Sequence, residues 1–322
     1  MREGIAIAGT VIVDKIYGIN AYPEIGQLTK INSIAMSVGG CVPNVGIDLK
    51  KLSPDLKIYA IGKIGSDEEG EYVKTVLENE SLDISAIKTC SQNTSFTNVM
   101  SVVGGQRTFF TYPGASAELG IEDIDLEALK AKILHLGYFL LLDKIDNGDG
   151  VKILKKAKEL GIKTSIDLVT ENSDRYSLVI PALEYTDYLI INEVEAGMLT
   201  GIEPKNENLR TIAERLFDFG VKEKVIIHKP DISVCLSENG FTVLPSYELP
   251  DGYVKGTTGA GDAFCAGALL KIYQGKSDID ILEFASTSAV MALSAPDATS
   301  GLVTESEALE LCKNFKRATA NI

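Results

Sequence analysis

Short apolar runs alternate with helical patterns along most of this chain, and that alternation restricts the folds open to it. Gly4–Ile7, Ile58–Ile61, Ile133–Leu136, Lys163–Ile166, Tyr188–Ile191 and Lys224–Ile227 have the length and composition of buried strands. Glu68–Leu77, Val151–Leu160 and Leu209–Phe219 carry helical spacing between them. Strand–helix repetition predicts βαβ units, hence an α/β fold around a buried, mostly parallel sheet. Such sheets bind ligands beyond the carboxyl ends of their strands. Two stretches break the pattern. Tyr17–Met36 has no helical character, and Thr94–Tyr112 alternates polar and apolar residues about Gly104-Gly105, a hairpin signal. Both read as strands of a small projecting sheet.

The richest segment for chemistry is Gly256-Thr257-Thr258-Gly259-Ala260-Gly261-Asp262, followed by small apolar residues. A helix starting at Gly259 or Ala260 presents backbone N–H groups and the positive end of its dipole to an anion. Asp262 then lies in the first turn. A carboxylate beside an oxyanion cradle suits phosphoryl transfer, because it can take a proton from an attacking hydroxyl. Gly39-Gly40 forms a second tight turn, followed by Asn44 as a helix N-cap and by Val45, Leu49 and Leu52 at helical spacing.

These two segments resemble the two signatures of the ribokinase-like (PfkB) carbohydrate kinases. Asp14, after the first strand, resembles that family's substrate-binding aspartate. Gly62-Lys63-Ile64-Gly65-Ser66-Asp67-Glu68-Glu69-Gly70 is similar to its "GxxGxDxxG" turn, and Asn192-Glu193-Val194-Glu195 to its "NxxE" motif. The resemblance covers nearly the whole chain. It implies one ribokinase-like domain over residues 1–322, a three-layer α/β/α unit with a β-sheet lid made of two insertions near 15–37 and 94–112.

It also implies roles. Asp262 is the expected base, with Gly259, Ala260 and Gly261 as the anion hole. Asp14, Gly39, Gly40, Asn44 and Arg107 fall on the substrate side. Asn192, His228, Lys229, Thr258, Gly259 and Gly261 fall on the nucleotide side. Asn192 and Glu195 are expected to meet Mg²⁺ through ordered water, since Mg²⁺ keeps much of its hydration shell. ATP and Mg²⁺ are the implied cofactors. The implied partners are a small sugar-like acceptor and, through the lid, a second copy of the chain. Ribose, fructose, 2-keto-3-deoxygluconate and nucleosides all remain open as acceptors. So does a sugar- or nucleoside-binding sensor that has lost efficient transfer.

Two departures stand out. The family's "DTxGAGD" begins with an aspartate that in many members helps bind a monovalent cation. Gly256 holds that position here, so weak or no potassium dependence is expected. The family's "TxGxxG" segment is replaced by His228-Lys229-Pro230-Asp231-Ile232-Ser233, and proline removes an N–H donor.

The bulk properties agree with this reading. With 45 acidic and 31 basic residues the net charge is −14, which disfavours a nucleic-acid or anionic-membrane partner. The N-terminal apolar run is too short for a signal peptide, and no stretch reaches the ~20 apolar residues of a membrane span. Five cysteines at irregular spacing read as reduced thiols. A cytoplasmic enzyme is expected.

Overall fold

The structure, a computed structural model, describes residues 2–102 and 107–319. Along the chain the strands are β1 (Ile5–Gly9), β2 (Ile12–Ile19), β3 (Ile31–Gly39), β4 (Ile58–Gly65), β5 (Asp83–Cys90), β6 (Ser95–Val102), β7 (Arg107–Tyr112), β8 (Ile133–Phe139), β9 (Lys163–Leu168), β10 (Tyr188–Asn192), β11 (Lys224–His228), β12 (Ile232–Ser237) and β13 (Gly240–Pro245). The α-helices are α1 (Cys41–Leu52), α2 (Glu68–Asn79), α3 (Gly114–Ala117), α4 (Gly150–Glu159), α5 (Ile180–Leu183), α6 (Glu193–Thr200), α7 (Leu209–Asp218), α8 (Ala260–Tyr273), α9 (Asp278–Leu293) and α10 (Glu305–Cys312).

Nine strands form the main sheet in the order β13-β12-β11-β10-β9-β8-β1-β4-β5. The pairings from β5 to β11 are parallel, and β12 and β13 extend the edge as antiparallel strands. Because βαβ crossovers put helices on both faces, the strands are near-continuous apolar runs and two cores result. One packs Val45, Leu49, Leu269 and Phe284 of α1, α8 and α9 against one face. The other packs Ile153, Leu199 and Ile212 of α4, α6 and α7 against the opposite face. This is the expected three-layer α/β/α arrangement. All six anticipated strands and all three anticipated helices are present, with ends shifted by up to four residues. The edge strand β5 was not anticipated, because Asp83, Ser85, Lys88 and Thr89 hide its pattern.

The two irregular stretches pair with each other in a second sheet, β3-β2-β6-β7. β2 runs antiparallel to β3 but parallel to β6, so the small sheet is mixed. β6 and β7 form the anticipated hairpin, while Gly104-Gly105, its expected turn, lies outside the described residues. The glycine-rich turn after β4 fastens this sheet to the main one. Asp67 caps α2 and accepts hydrogen bonds from the N–H and hydroxyl of Thr94, the residue just before β6.

Candidate active site

β1, β8, β9, β10 and β11 deliver Thr10, Tyr138, Asp167, Asn192 and His228 to one end of the sheet, where α1 and α8 also begin. Order reverses there: β4 follows β1 on one side and β8 lies on the other, a switch point of the kind that collects ligands.

α8 starts at Ala260 with Gly259 as its cap, in the left-handed region at φ 79°. A Cβ on Gly259 would also stand 2.5 Å from Ala298, so both backbone and neighbour demand glycine. Gly261 is different. An added Cβ would meet only His228 Cε1 at 3.6 Å, so the protein itself does not require this glycine.

Asp262 is buried at 7% exposure and hydrogen-bonded on both oxygens. Asn44 Nδ2 donates to Oδ2 at 2.9 Å, and the Tyr138 hydroxyl lies 2.9 Å from each oxygen. Burial pushes its pKa up to about 7. The Asp167 charge and, more weakly, that of Asp14 contribute to this rise, against the two hydrogen bonds. Asp14 and Asp262 are therefore electrostatic neighbours.

One expectation is corrected here. Asn44 is not an N-cap; it is the fourth residue of α1, whose cap is Gly40 at φ 87°. No side-chain cap is needed, because Thr10 Oγ1 and the Thr10 carbonyl accept the N–H groups of Cys41 and Val42. That frees the Asn44 amide for Asp262. One turn on, Asp48 is fully buried with both carboxylate oxygens unpartnered, and its pKa is driven well up by burial and by Asp262.

Asp14 lies within β2, not in a turn, opposite Ser37 and Thr97 on the flanking strands. Burial raises its pKa to about 6, and Arg107 opposes that rise. Gly39 leaves room for it, since a Cβ there would stand 2.4 Å from Asp14 Oδ2. Arg107, from β7, donates to Thr258 Oγ1 at 2.6 Å. It thus ties the small sheet to the loop before α8 and lies between the residues assigned to substrate and to nucleotide.

Two cavities flank Asp262. A cavity of about 230 Å³ is lined by Tyr138, Asp167, Asn192, Glu195, Gly259, Gly261 and Asp262. A larger one, about 480 Å³, is walled by Tyr247, Leu249, Val254, Phe264, Val290 and Leu293, with Lys229, Pro230 and Thr257 at its polar side. The two share Asn192, His228 and Gly261. Asp14, Gly39, Gly40 and Asn44 line neither.

Asn192 and Glu195 form a reciprocal capping box on α6. Glu195 Oε1 accepts from Thr170 Oγ1 and Asn192 Nδ2, and Oε2 accepts from the Asn192 N–H. Burial raises the Glu195 pKa to about 8. Both carboxylate oxygens of Glu195 are thus taken up by protein donors.

His228 stacks on Phe264 with ring centroids 4.7 Å apart, and burial lowers its pKa to about 4, so it is neutral. Lys229 Nζ donates to Asn206 Oδ1 at 2.6 Å and to the Pro204 carbonyl. Pro230 is tolerated because it sits between β11 and β12, where the closing bond runs from the Lys229 N–H to the Ile232 carbonyl.

Two residues escaped the sequence reading. Tyr138, half-buried, carries the hydroxyl on Asp262, yet "LGYF" reads as ordinary strand. Asp167 accepts the Tyr138 N–H at 2.6 Å and lies 3.5 Å from His135 Nε2. Cys41, His135 and Asp167 present ligating atoms within 4.8 Å of one another, a cluster that spacing along the chain conceals.

Comparison with known proteins bears directly on this geometry. Residues 8–305 match the pfkB family carbohydrate kinase profile. The chain belongs to the pfkB family of carbohydrate kinases. This carbohydrate kinase is 25% identical to the 5-dehydro-2-deoxygluconokinase of Clostridium perfringens over 292 residues, 87% of this chain and 85% of that one. It is 24% identical to the ribokinase of Haemophilus influenzae, with 98% and 100% covered. The structure of Arabidopsis thaliana ribokinase complexed with ribose and ATP superposes with a TM-score of 0.84 at 23% identity, covering 97% of this chain and 99% of that one. Among the described residues no helix is long and apolar enough to cross a membrane.

Proposed function

We propose that this carbohydrate kinase transfers the γ-phosphate of ATP to a hydroxyl of an uncharged sugar or sugar-like molecule, with Asp262 as base. The observation that carries this is the position of Asp262: in the first turn of α8, bonded by Asn44 from the first turn of α1 and within electrostatic reach of Asp14.

Asp14, Gly39, Gly40 and Asn44 form the acceptor side. A carboxylate accepts two hydroxyl donors with directional selectivity. Arg107 is tied to Thr258 near the start of α8, on the phosphate side, which favours an acceptor without phosphate of its own. The acceptor oxygen bonds to the γ-phosphorus as its proton passes to Asp262 and ADP leaves. The N–H groups of Gly259, Ala260 and Gly261, with the α8 dipole, hold the charge that develops.

The apolar wall of the larger cavity takes the adenine, with Asn192, His228, Lys229 and Thr258 around the nucleotide. Asn192 and Glu195 would hold Mg²⁺ through its water shell, and the ion would supply charge neutralisation to the phosphates. The small sheet acts as a lid that keeps water from the reacting groups. It leaves Ile34, Met36, Phe109 and Phe110 exposed, an apolar surface that a second copy would cover. Five free cysteines fit a cytoplasmic location.

The test is ADP release with ATP·Mg²⁺ across a panel of sugars and nucleosides. Turnover on a sugar that vanishes in Asp262→Asn, with sugar binding retained, supports the kinase. Tight binding with no ADP release on any acceptor makes the protein a sensor instead.

A further inference from the structure

Tyr138 is held in an unusual way. Its φ of 62° puts a bulky residue in the left-handed region, and Leu140 follows at φ 78°. Such a conformation is strained for a residue with a side chain and persists only where its surroundings over-determine it. Those surroundings are present. Asp167 Oδ1 accepts the Tyr138 N–H at 2.6 Å, and Asp146 Oδ1 accepts the Leu140 N–H at 2.8 Å. The Leu140 carbonyl accepts from Arg175 at 2.8 Å. The β8–β9 register shifts between Leu136 and Phe139, an irregularity of the kind that re-aims a side chain.

The outcome of this distortion is one contact. The Tyr138 hydroxyl stands 2.9 Å from both Oδ1 and Oδ2 of Asp262, on the plane that bisects the carboxylate. A phenol donating to the base there occupies the place that an acceptor alcohol would use for the same bond.

We propose that Tyr138 is the stopper of the acceptor site: its hydroxyl stands in for the acceptor alcohol on Asp262, excludes water from the base, and yields only to a sugar hydroxyl. The inference rests on the kinase reading above. Shape and chemistry both support it. The lining of the smaller cavity includes Tyr138 as well as Gly259, Gly261 and Asp262, so the phenol borders the space beside the anion loop. Removal of the phenol oxygen leaves room for about one water, hydrogen-bonded to Asp262. That water is a nucleophile in position. Its oxygen bonds to the γ-phosphorus, the bond to the β–γ bridging oxygen breaks, its proton goes to Asp262, and ADP leaves with the electron pair.

The experiment measures ADP release from ATP·Mg²⁺ without sugar for wild type, Tyr138→Phe and the double variant Tyr138→Phe/Asp262→Asn. Tyr138→Phe is expected to hydrolyse ATP about tenfold faster than wild type, a gain that the double variant loses. Loss of structure alone does not create an Asp262-dependent gain. Should phenylalanine destabilise the fold, as read from the thermal midpoint, Tyr138→Leu serves the same comparison. A rate at or below wild type, or a gain that survives Asp262→Asn, overturns the proposal. If wild type phosphorylates a sugar while Tyr138→Phe shows no gain, the stopper fails and the kinase stands. If wild type is silent on every acceptor, both fall together.

Discussion

The two halves of the cleft are built on different principles. On the side proposed for the acceptor, Asp14, Asn44, Tyr138 and Asp262 are buried or half-buried polar groups, and Asn44 and Tyr138 bond Asp262 at 2.9 Å. On the side proposed for the nucleotide, Leu249, Val254, Phe264, Val290 and Leu293 wall a cavity of about 480 Å³. A chain of net charge −14 has little cationic surface to give to phosphates, which is why the proposal assigns that task to the backbone N–H groups at the start of α8. The contrast shows where a substitution matters. Directional bonds fail when one atom moves, whereas an apolar wall tolerates many sequences of similar volume.

The contrast is broken most directly at Asp262. Asp262→Asn keeps the shape and the contact with Asn44 but removes the base, and kcat is expected to fall by about 10²–10⁴. A steady-state assay at saturating sugar and ATP checks this; a loss of less than threefold would place the base elsewhere.

Asp14→Asn comes next. Loss of hydrogen bonds to a charged group, about 2 kcal/mol, corresponds to tenfold or more in acceptor KM, with the KM for ATP unchanged. Equal changes in both would erase the distinction between the halves.

The pH profile sharpens it. Asp262, with a pKa raised to about 7, must be ionised to act, so kcat/KM is expected to rise with pH up to about 7 and to fall about tenfold per unit below it. The Asp14 charge is one of the causes of that elevation, so the acidic limb should move to lower pH in Asp14→Asn, since removing a like charge favours the ionised form. An unmoved limb would uncouple the two acids.

On the nucleotide side the expected effects are small. Lys229→Met is expected to change the KM for ATP by less than about threefold, because the ammonium is already held by Asn206 and the Pro204 carbonyl. A tenfold rise would mean that Lys229 leaves those partners for phosphate.

The same contrast explains what could be read from the sequence. βαβ alternation is written in apolar runs, so the main sheet was legible, as were the glycines whose positive φ leaves little choice of residue at 40 and 259. Asn44 was visible but misassigned, because its partner lies 218 residues away and capping is the local use of an asparagine. Tyr138 was invisible: its role depends on a register shift and on Asp167 from the next strand, and neither leaves a local pattern. The nucleotide wall was equally hidden, since Val254, Phe264 and Val290 look like any core residues until α8, α9 and the loop before them are brought together.

Gly256 gives the smallest expected effect. It lies in that loop, where a Cβ would stand 3.0 Å from the carbonyl oxygens of both Ala295 and Pro296. Gly256 offers no carboxylate to a monovalent cation, which sheds its hydration more readily where a charge compensates. Replacing sodium by potassium at constant ionic strength should therefore change kcat by less than about twofold. A large rise in turnover would show that this loop recruits further oxygens to the ion, and the nucleotide half would then depend on a charge that its residues do not carry.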